Sequence, residues 1–434
     1  MMTLALYRAA ATVAGPALRF YLRRREETGK EERARIGERF GIASQPRPDG
    51  PLIWIHAASV GESVSVLPLL ERIRETRPGL NFLVTTGTVT SARLMADRLP
   101  DDAVHQYVPL DRPQWVRAFL DHWRPDLALW VESEFWPILL SETRARGIPA
   151  VLANARISPR SYAKWRRAPG LIRELLASFA LCLAQDEQDA ECLRELGAAR
   201  IHLPGNLKFA GPPPPADFTA LAALERVVEG RPCWLAASTH RGEEDIAAAA
   251  HRALAASRPG LLTIVIPRHP TRGPEIAAML RGRGLKTAVR SADEPITPDT
   301  AIYLADTMGE LGVFYRLSNV AFVGGSLVAH GGQNVLEAAK LGCAIVHGPH
   351  MENFRAIAAE LASAGASATV RDADDLAAAI GPLLDDAALR ERRGVAALRV
   401  ANDKTGILDA VLAELSPFLD ALPAAAPAPR HARA

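Results

Sequence analysis

What most constrains this chain is a rhythm. From residue 52 onward, short apolar runs alternate with amphipathic segments. Residues 52–56, 81–85, 104–108, 127–131, 149–153 and 180–184 read as strands, and 63–74, 91–98, 113–122 and 135–146 read as the helices between them. Strands separated by helices need crossover connections, which build a parallel sheet with helices on both faces. The rhythm then stops at Gly211-Pro-Pro-Pro-Pro215. Four prolines can continue neither a helix nor a central strand, so residues 211–216 form a stiff linker. Afterwards the alternation restarts, with strands at 233–237, 261–266, 301–304, 320–323 and 344–347. The expectation is an α/β chain of two doubly wound Rossmann-like domains, 35–210 and 217–420, facing across a cleft. In such sheets ligands bind at the carboxyl ends of the strands.

Composition narrows the function. The chain has 434 residues, 48% apolar and 23% charged, which is enough for two cores and excludes a disordered chain, a collagen or a coiled coil. Fifty-one basic against forty-nine acidic residues give a net charge of +2, so no polycationic surface argues for nucleic acid. Cys182, Cys192, Cys233 and Cys343 show neither CxxC nor zinc spacing, which fits a reducing compartment and no metal site. Residues 1–25 carry five arginines (Arg8, Arg19, Arg23, Arg24, Arg25), no acidic residue and many apolar ones. A spanning helix takes about 20 uninterrupted apolar residues. This stretch falls short, and Gly15-Pro16 would kink it. It reads as a membrane anchor or interfacial helix with its basic end beside anionic headgroups, the competing reading being an ordinary amphipathic helix packed on the protein. Residues 423–434 read as a disordered tail.

Several strand ends carry chemistry. His56-Ala-Ala-Ser-Val-Gly-Glu62 closes the first strand, where small residues such as Ser59 and Gly61 leave Glu62 open to a ligand. A carboxylate there can take a proton from a hydroxyl, although Glu is also favoured in a first helical turn. Glu132-Ser-Glu134-Phe-Trp-Pro137 ends another strand, and its two carboxylates can hold hydroxyls or serve as a second acid/base. The competing reading is a helix cap at Ser133. Arg156 and Arg160 open a basic, aromatic-interleaved run that suits a phosphorylated, membrane-borne acceptor or a solvated face equally. Lys208 precedes the linker, can touch a ligand from the hinge side and is expected among the donor-binding residues.

In the second half, Arg268 follows a strand and is placed as a phosphate clamp. Asp306-Thr-Met308-Gly309-Glu310 follows another. Gly325 and Ser326, then Gly331 and Gly332, offer backbone N–H groups that can approach a phosphate closely. Asn334 and Glu337 share a helical face, with the acid suited to ribose hydroxyls. Neither GxGxxG nor GxxxxGK[ST] occurs, which disfavours a dinucleotide oxidoreductase or P-loop enzyme. Asp372-Ala-Asp374 reads as a helix cap rather than a metal pair.

In combination, His56–Glu62, Glu132–Pro137, Gly205-Asn-Leu-Lys-Phe209, Pro267-Arg-His-Pro270 and Gly331-Gly-Gln-Asn-Val-Leu-Glu337 resemble the Kdo (3-deoxy-D-manno-octulosonic acid) transferases of Gram-negative lipopolysaccharide synthesis, from about residue 35 to 415. The resemblance implies a GT-B glycosyltransferase at the cytoplasmic face of the inner membrane. It implies CMP-Kdo as donor and the lipid A precursor (lipid IVA) as acceptor, with no cofactor. Glu62 would be the general base, and Arg268 would hold the CMP phosphate. Met308, Gly309, Glu310, Asn334 and Glu337 would surround the nucleotide, and Glu132 or Glu134 would line the acceptor side. Residues 347–354 resemble the family's donor-closing loop. The alternatives are another nucleotide-sugar GT-B transferase or epimerase and, in a different class, a non-catalytic membrane-tethered CMP-sugar or lipid-binding protein.

Overall fold

In the computed structural model, residues 3–423 are described; the tail expected over 423–434 lies outside them apart from its first residue. The chain divides into two compact units. The first runs to Gly211 and resumes at Gly406. Its strands are β1 (Leu52–His56), β2 (Asn81–Thr86), β3 (Ala103–Tyr107), β4 (Leu127–Val131), β5 (Ala150–Ala155), β6 (Leu181–Ala184) and β7 (Ile201–His202), in the order β3-β2-β1-β4-β5-β6-β7. Each pairing is parallel. Every residue of β1 and β4 is buried, as both-face coverage demands of a parallel sheet. The switch point of the order lies between these two strands. Trp54 of β1 packs against Trp130 of β4 and against Phe119, with ring centroids at 4.7 and 5.0 Å.

The second unit spans Pro212–Thr405. Its strands are β8 (Cys233–Thr239), β9 (Leu262–Pro267), β10 (Thr287–Val289), β11 (Ile302–Leu304), β12 (Val320–Val323), β13 (Ala344–His347) and β14 (Ser367–Thr369). They form a parallel sheet in the order β10-β11-β9-β8-β12-β13-β14, with its switch point between β8 and β12. The proline run begins this unit: the Pro214 carbonyl accepts a hydrogen bond from Arg316 Nη1 at 2.8 Å.

One domain boundary needs correcting. The second domain was expected to reach 420, yet helix Ile407–Asp420 belongs to the first unit. It buries Val411, Leu415 and Leu419 there. Side-chain pairs join it to the same unit: Arg72–Asp409 at 3.0 Å, Arg77–Asp420 at 2.6 Å and His202–Glu414 at 2.7 Å. Strand-to-helix alternation gives no sign of this return, because the contacts are set by tertiary packing.

At the amino end, helices Leu4–Val13 and Gly15–Glu27 meet at Ala14, beside the Gly-Pro pair that marked a kink. Leu4, Tyr7 and Ala11 pack on the core of the first unit, and Arg8 pairs with Glu142 at 3.1 Å. Leu6, Val13, Phe20 and Tyr21 stay exposed. Among the described residues no helix is long and apolar enough to cross a membrane.

Candidate active-site residues of the two units

In the first unit, β1 ends in a small loop whose Ser59 is the N-cap of helix Val60–Thr76. The Ser59 Oγ accepts from the Glu62 N–H at 3.3 Å and donates to Glu62 Oε1 at 2.7 Å, while the Ala58 N–H donates to Oε2 at 2.8 Å. This is a close variant of the capping box, so the helix-cap reading of Glu62 holds. It is not the whole account. Burial pushes the Glu62 carboxyl up to about 7; the Ser59 and Ala58 hydrogen bonds oppose the shift, and Glu132 and Glu134 add to it. A carboxyl poised there exchanges protons at neutral pH. Ser59 and Gly61 are exposed, and the space beside Gly61 is open, so the loop leaves a path to Glu62. The preceding His56 is fully buried, its ring held at about 4 by burial, and it stays neutral.

The second acidic segment follows β4. Ser133 is not a cap: the helix begins at Pro137 with Trp136 at the N-cap position. Asp111 satisfies its first turn, accepting from Ile138 N at 3.0 Å and Leu139 N at 2.8 Å. The 132–136 loop is therefore free to present carboxylates. Glu132 adopts φ 60°, a left-handed conformation that a non-glycine residue keeps only where its surroundings impose it. Its Oε1 lies 2.5 Å from Lys208 Nζ. Glu134 accepts from Trp136 Nε1 at 2.9 Å, and burial raises its carboxyl. Lys208, expected on the donor side, thus belongs to the first unit and neutralises its acidic cluster.

A residue the sequence reading missed carries Lys208. Asn154, the last residue but one of β5, has φ 53° and is buried. Its Oδ1 accepts from Leu207 N at 2.8 Å, and its carbonyl accepts from Gln185 Nε2 at 3.0 Å. Gln185 Oε1 in turn accepts from Asn206 Nδ2 at 2.9 Å. The asparagine-initiated basic run was the available signal. Arg156 is half-buried near Asp189, and Arg160 is exposed on helix Pro159–Trp165.

In the second unit, Arg268 leaves β9 with its backbone N–H on the Thr239 carbonyl at 2.9 Å. Its exposed guanidinium makes no hydrogen bond or ion pair among the described residues. With Ser238, Leu311, Tyr315, Gln333, Asn334 and Glu337 it lines a cavity of about 220 Å³. Asn334 caps the short helix Val335–Ala339, accepting from Leu336 N at 3.1 Å, and its Nδ2 reaches Glu337 Oε1 at 3.4 Å. Burial raises the Glu337 carboxyl. Gly331 and Gly332 sit at φ 85° and 80°, and a Cβ on either would strike the 350–353 segment. That segment is the one expected to close the donor site.

Gly325 and Ser326 require a correction. Their N–H groups, expected to face a phosphate, are already bonded. Glu243 is fully buried and accepts from four backbone N–H groups: Gly325 at 2.7 Å and His240 at 2.8 Å on Oε2, Ser326 and Leu327 at 2.9 Å on Oε1. These residues shape the loop and leave no donor for a ligand. In the 306–310 loop, Met308 is exposed and Gly309 has φ 84°. Glu310 is clamped by Arg290, with Nε–Oε2 2.6 Å and Nη2–Oε1 2.5 Å, and that pairing holds its carboxyl below the usual range. Any contact Glu310 makes with a nucleotide is made as half of an ion pair. Asp372 caps its helix, accepting from Asp375 N at 2.9 Å, as the spacing implied.

Known proteins agree with these motifs. The sequence profile described as "3-Deoxy-D-manno-octulosonic-acid transferase (kdotransferase)" matches residues 34–211. A Haemophilus influenzae protein named 3-deoxy-D-manno-octulosonic acid transferase is 35% identical over 402 residues, covering 89% of this chain and 92% of that one. A Bordetella pertussis protein of the same name is 37% identical over 347 residues, 77% and 80% of the two chains. Among solved structures, a putative UDP-N-acetylglucosamine 2-epimerase from Listeria monocytogenes matches with TM-score 0.57 at 15% identity, over 87% of this chain and 98% of that one. At that identity the likeness speaks for the fold alone. The strand-end motifs and the full-length relatives converge: the chain belongs to the 3-deoxy-D-manno-octulosonic acid transferase family and is a glycosyltransferase of GT-B fold.

Proposed function

We propose that this enzyme moves Kdo from CMP-Kdo to a hydroxyl of the lipid A precursor by a single inverting displacement. The observation that carries the proposal is Glu62, a buried carboxyl held near neutrality beside an open glycine-containing loop. Glu62 takes the acceptor hydroxyl's proton as that oxygen bonds to the anomeric carbon. The bond from that carbon to the bridging phosphate oxygen breaks, and CMP leaves with the electron pair. The transition state is oxocarbenium-like, so the departing phosphate needs fixed positive charge. The unpartnered Arg268 guanidinium supplies it, in a fork that matches phosphate oxygens. Asn334 and Glu337 serve the ribose, and the 308–310 loop flanks the cytidine. Glu132, Glu134, Arg156 and Arg160 serve the phosphorylated acceptor. The reaction then runs without a divalent cation.

The amino-terminal helices suit work at the cytoplasmic face of the inner membrane. They lie on the first unit by one face and expose Leu6, Val13, Phe20 and Tyr21 beside Arg19, Arg23 and Arg24. Apolar side chains next to arginines favour an anionic bilayer surface over a span. The test is mass spectrometry of lipid A precursor incubated with enzyme and CMP-Kdo, with and without EDTA. Addition of Kdo in both samples is expected. Transfer only from a UDP-sugar, or none, overturns the donor assignment, and loss with EDTA alone overturns the metal-independent step.

A further inference from the structure

Three histidines converge from three different loops of the second unit. His240 follows β8, His269 follows Arg268 at the end of β9, and His330 lies in the loop after β12. His240 stacks on His330 with centroids 4.2 Å apart and planes at 26°. His269 meets His240 edge-on at 5.8 Å and 85°. His240 Nε2 lies 3.0 Å from Gln333 Nε2, and Gln333 lines the same cavity as Arg268. The cluster thus adjoins that cavity through Gln333 and through Arg268, the neighbour of His269 in the chain.

The arrangement is tightly held. The His240 N–H is bound by Glu243, and the His330 carbonyl accepts from Asn353 Nδ2 at 3.2 Å. Left-handed Gly331 and Gly332 turn the chain directly after His330. Among the described residues no carboxylate hydrogen-bonds any of the three rings. The nearby Glu244 is engaged elsewhere, with Thr239 Oγ1 at 3.0 Å and Arg272 Nη1 at 2.8 Å. Burial first, then His330, His269 and Arg268, bring His240 down to about 4. At that value the His240 ring is neutral, so the imidazoles bring N–H donors and the Arg268 guanidinium beside them brings the positive charge.

The donor of the proposed reaction carries two anions. One is the phosphodiester, which Arg268 accounts for. The other is the sugar carboxylate, borne on the anomeric carbon and separated from phosphorus only by that carbon and the bridging oxygen. Two anions so close need two adjacent subsites, one charged and one offering N–H donors, and Arg268-His269 is such an adjacency in the chain itself. We infer that His240, His269 and His330 bind the carboxylate of the donor sugar and make this enzyme select an acidic nucleotide sugar over a neutral one. The inference rests on CMP-Kdo being the donor.

CMP carries the phosphate but not the carboxylate, so it separates the two subsites. In H330N, whose ring is exposed and whose loss does not threaten folding, and in H240N, the KM for CMP-Kdo should rise at least ~10-fold, the effect of losing a hydrogen bond to a charged group. The Kd of CMP, read by calorimetry, should stay within about twofold, well under the tenfold that 1.4 kcal/mol represents. An equal weakening of CMP in H330N would make the cluster a phosphate site and overturn the inference. Unchanged values for both ligands in both variants would overturn it as well. The wild type is the separate control: failure to bind CMP or to use CMP-Kdo sinks the donor assignment, not the role of the histidines.

Discussion

The two units are built on one plan and carry different chemistry at equivalent places. Each is a seven-stranded parallel sheet whose order reverses next to its first strand, between β1 and β4 in one and between β8 and β12 in the other. Beyond β1 and β4 stand Glu62, Glu132 and Glu134, three carboxylates with Lys208 as their counter-ion. Beyond β8, β9 and β12 stand His240, Arg268, His269 and His330. Three acidic groups of the second unit are tied up by their neighbours. Glu243 is bound by four backbone N–H groups, Glu310 by Arg290, and Asp306 by Ser291 Oγ at 2.7 Å. Topology therefore places the sites, and side-chain pairing decides which charge stays available. That leaves Glu62 in one unit, and Arg268 with the three histidines in the other, as the groups the proposed transfer would use.

The sharpest way to break this contrast is Glu62→Gln. Loss of a general base lowers turnover by at least ~100-fold, while CMP affinity, a property of the second unit, should not change. Single-turnover transfer and CMP titration on the same preparation measure both. Turnover within tenfold of wild type would reduce Glu62 to a helix cap and remove the acidic half of the contrast. The mirror experiment is Arg268→Gln. Removing one charged hydrogen-bond donor raises the Kd of CMP roughly 10- to 100-fold. Stability should be unaffected, because the guanidinium makes no bond among the described residues. An unchanged Kd would mean that the phosphate sits elsewhere.

How far the sequence reaches can be argued from the same residues. β4, β12 and β13 fall on the residues expected of them, because buried parallel strands are unbroken apolar runs. β7, β10 and β14 were not anticipated; they are two or three residues long, at sheet edges, and too short to carry a pattern. Glu62 was legible because it follows a strand through a loop of small residues, and Arg268 because it too follows a strand. Glu243 was not: three of its four partners lie 82 to 84 residues away. Long-range pairing of this kind leaves no local trace, and for the same reason Gly325 and Ser326 read as ligand-binding when they are structural. Arg290–Glu310 and Lys208–Glu132 follow the same rule.

The finest adjustment of the acidic half is Ser59. Its hydroxyl donates to the charged form of Glu62 and so holds the carboxyl lower than burial alone would. A general base acts when deprotonated, so wild-type kcat/KM should climb with pH through about 7 and level off above. In Ser59→Ala the carboxyl rises further, and the whole limb moves to higher pH: transfer weakens at pH 7 and recovers in alkaline buffer. Stability carries its own sign. A carboxyl raised on folding binds more protons in the folded than in the unfolded chain, so Glu62's contribution falls as pH climbs from the ordinary carboxylate range to about 7. Ser59→Ala steepens that fall and adds the loss of an N-cap, about 1 kcal/mol at any pH. Paired pH–rate and denaturation profiles read the two effects apart. A limb that stays in place while stability drops would assign Ser59 to the helix alone, and burial with the neighbouring carboxylates would then be the whole cause of Glu62's poise.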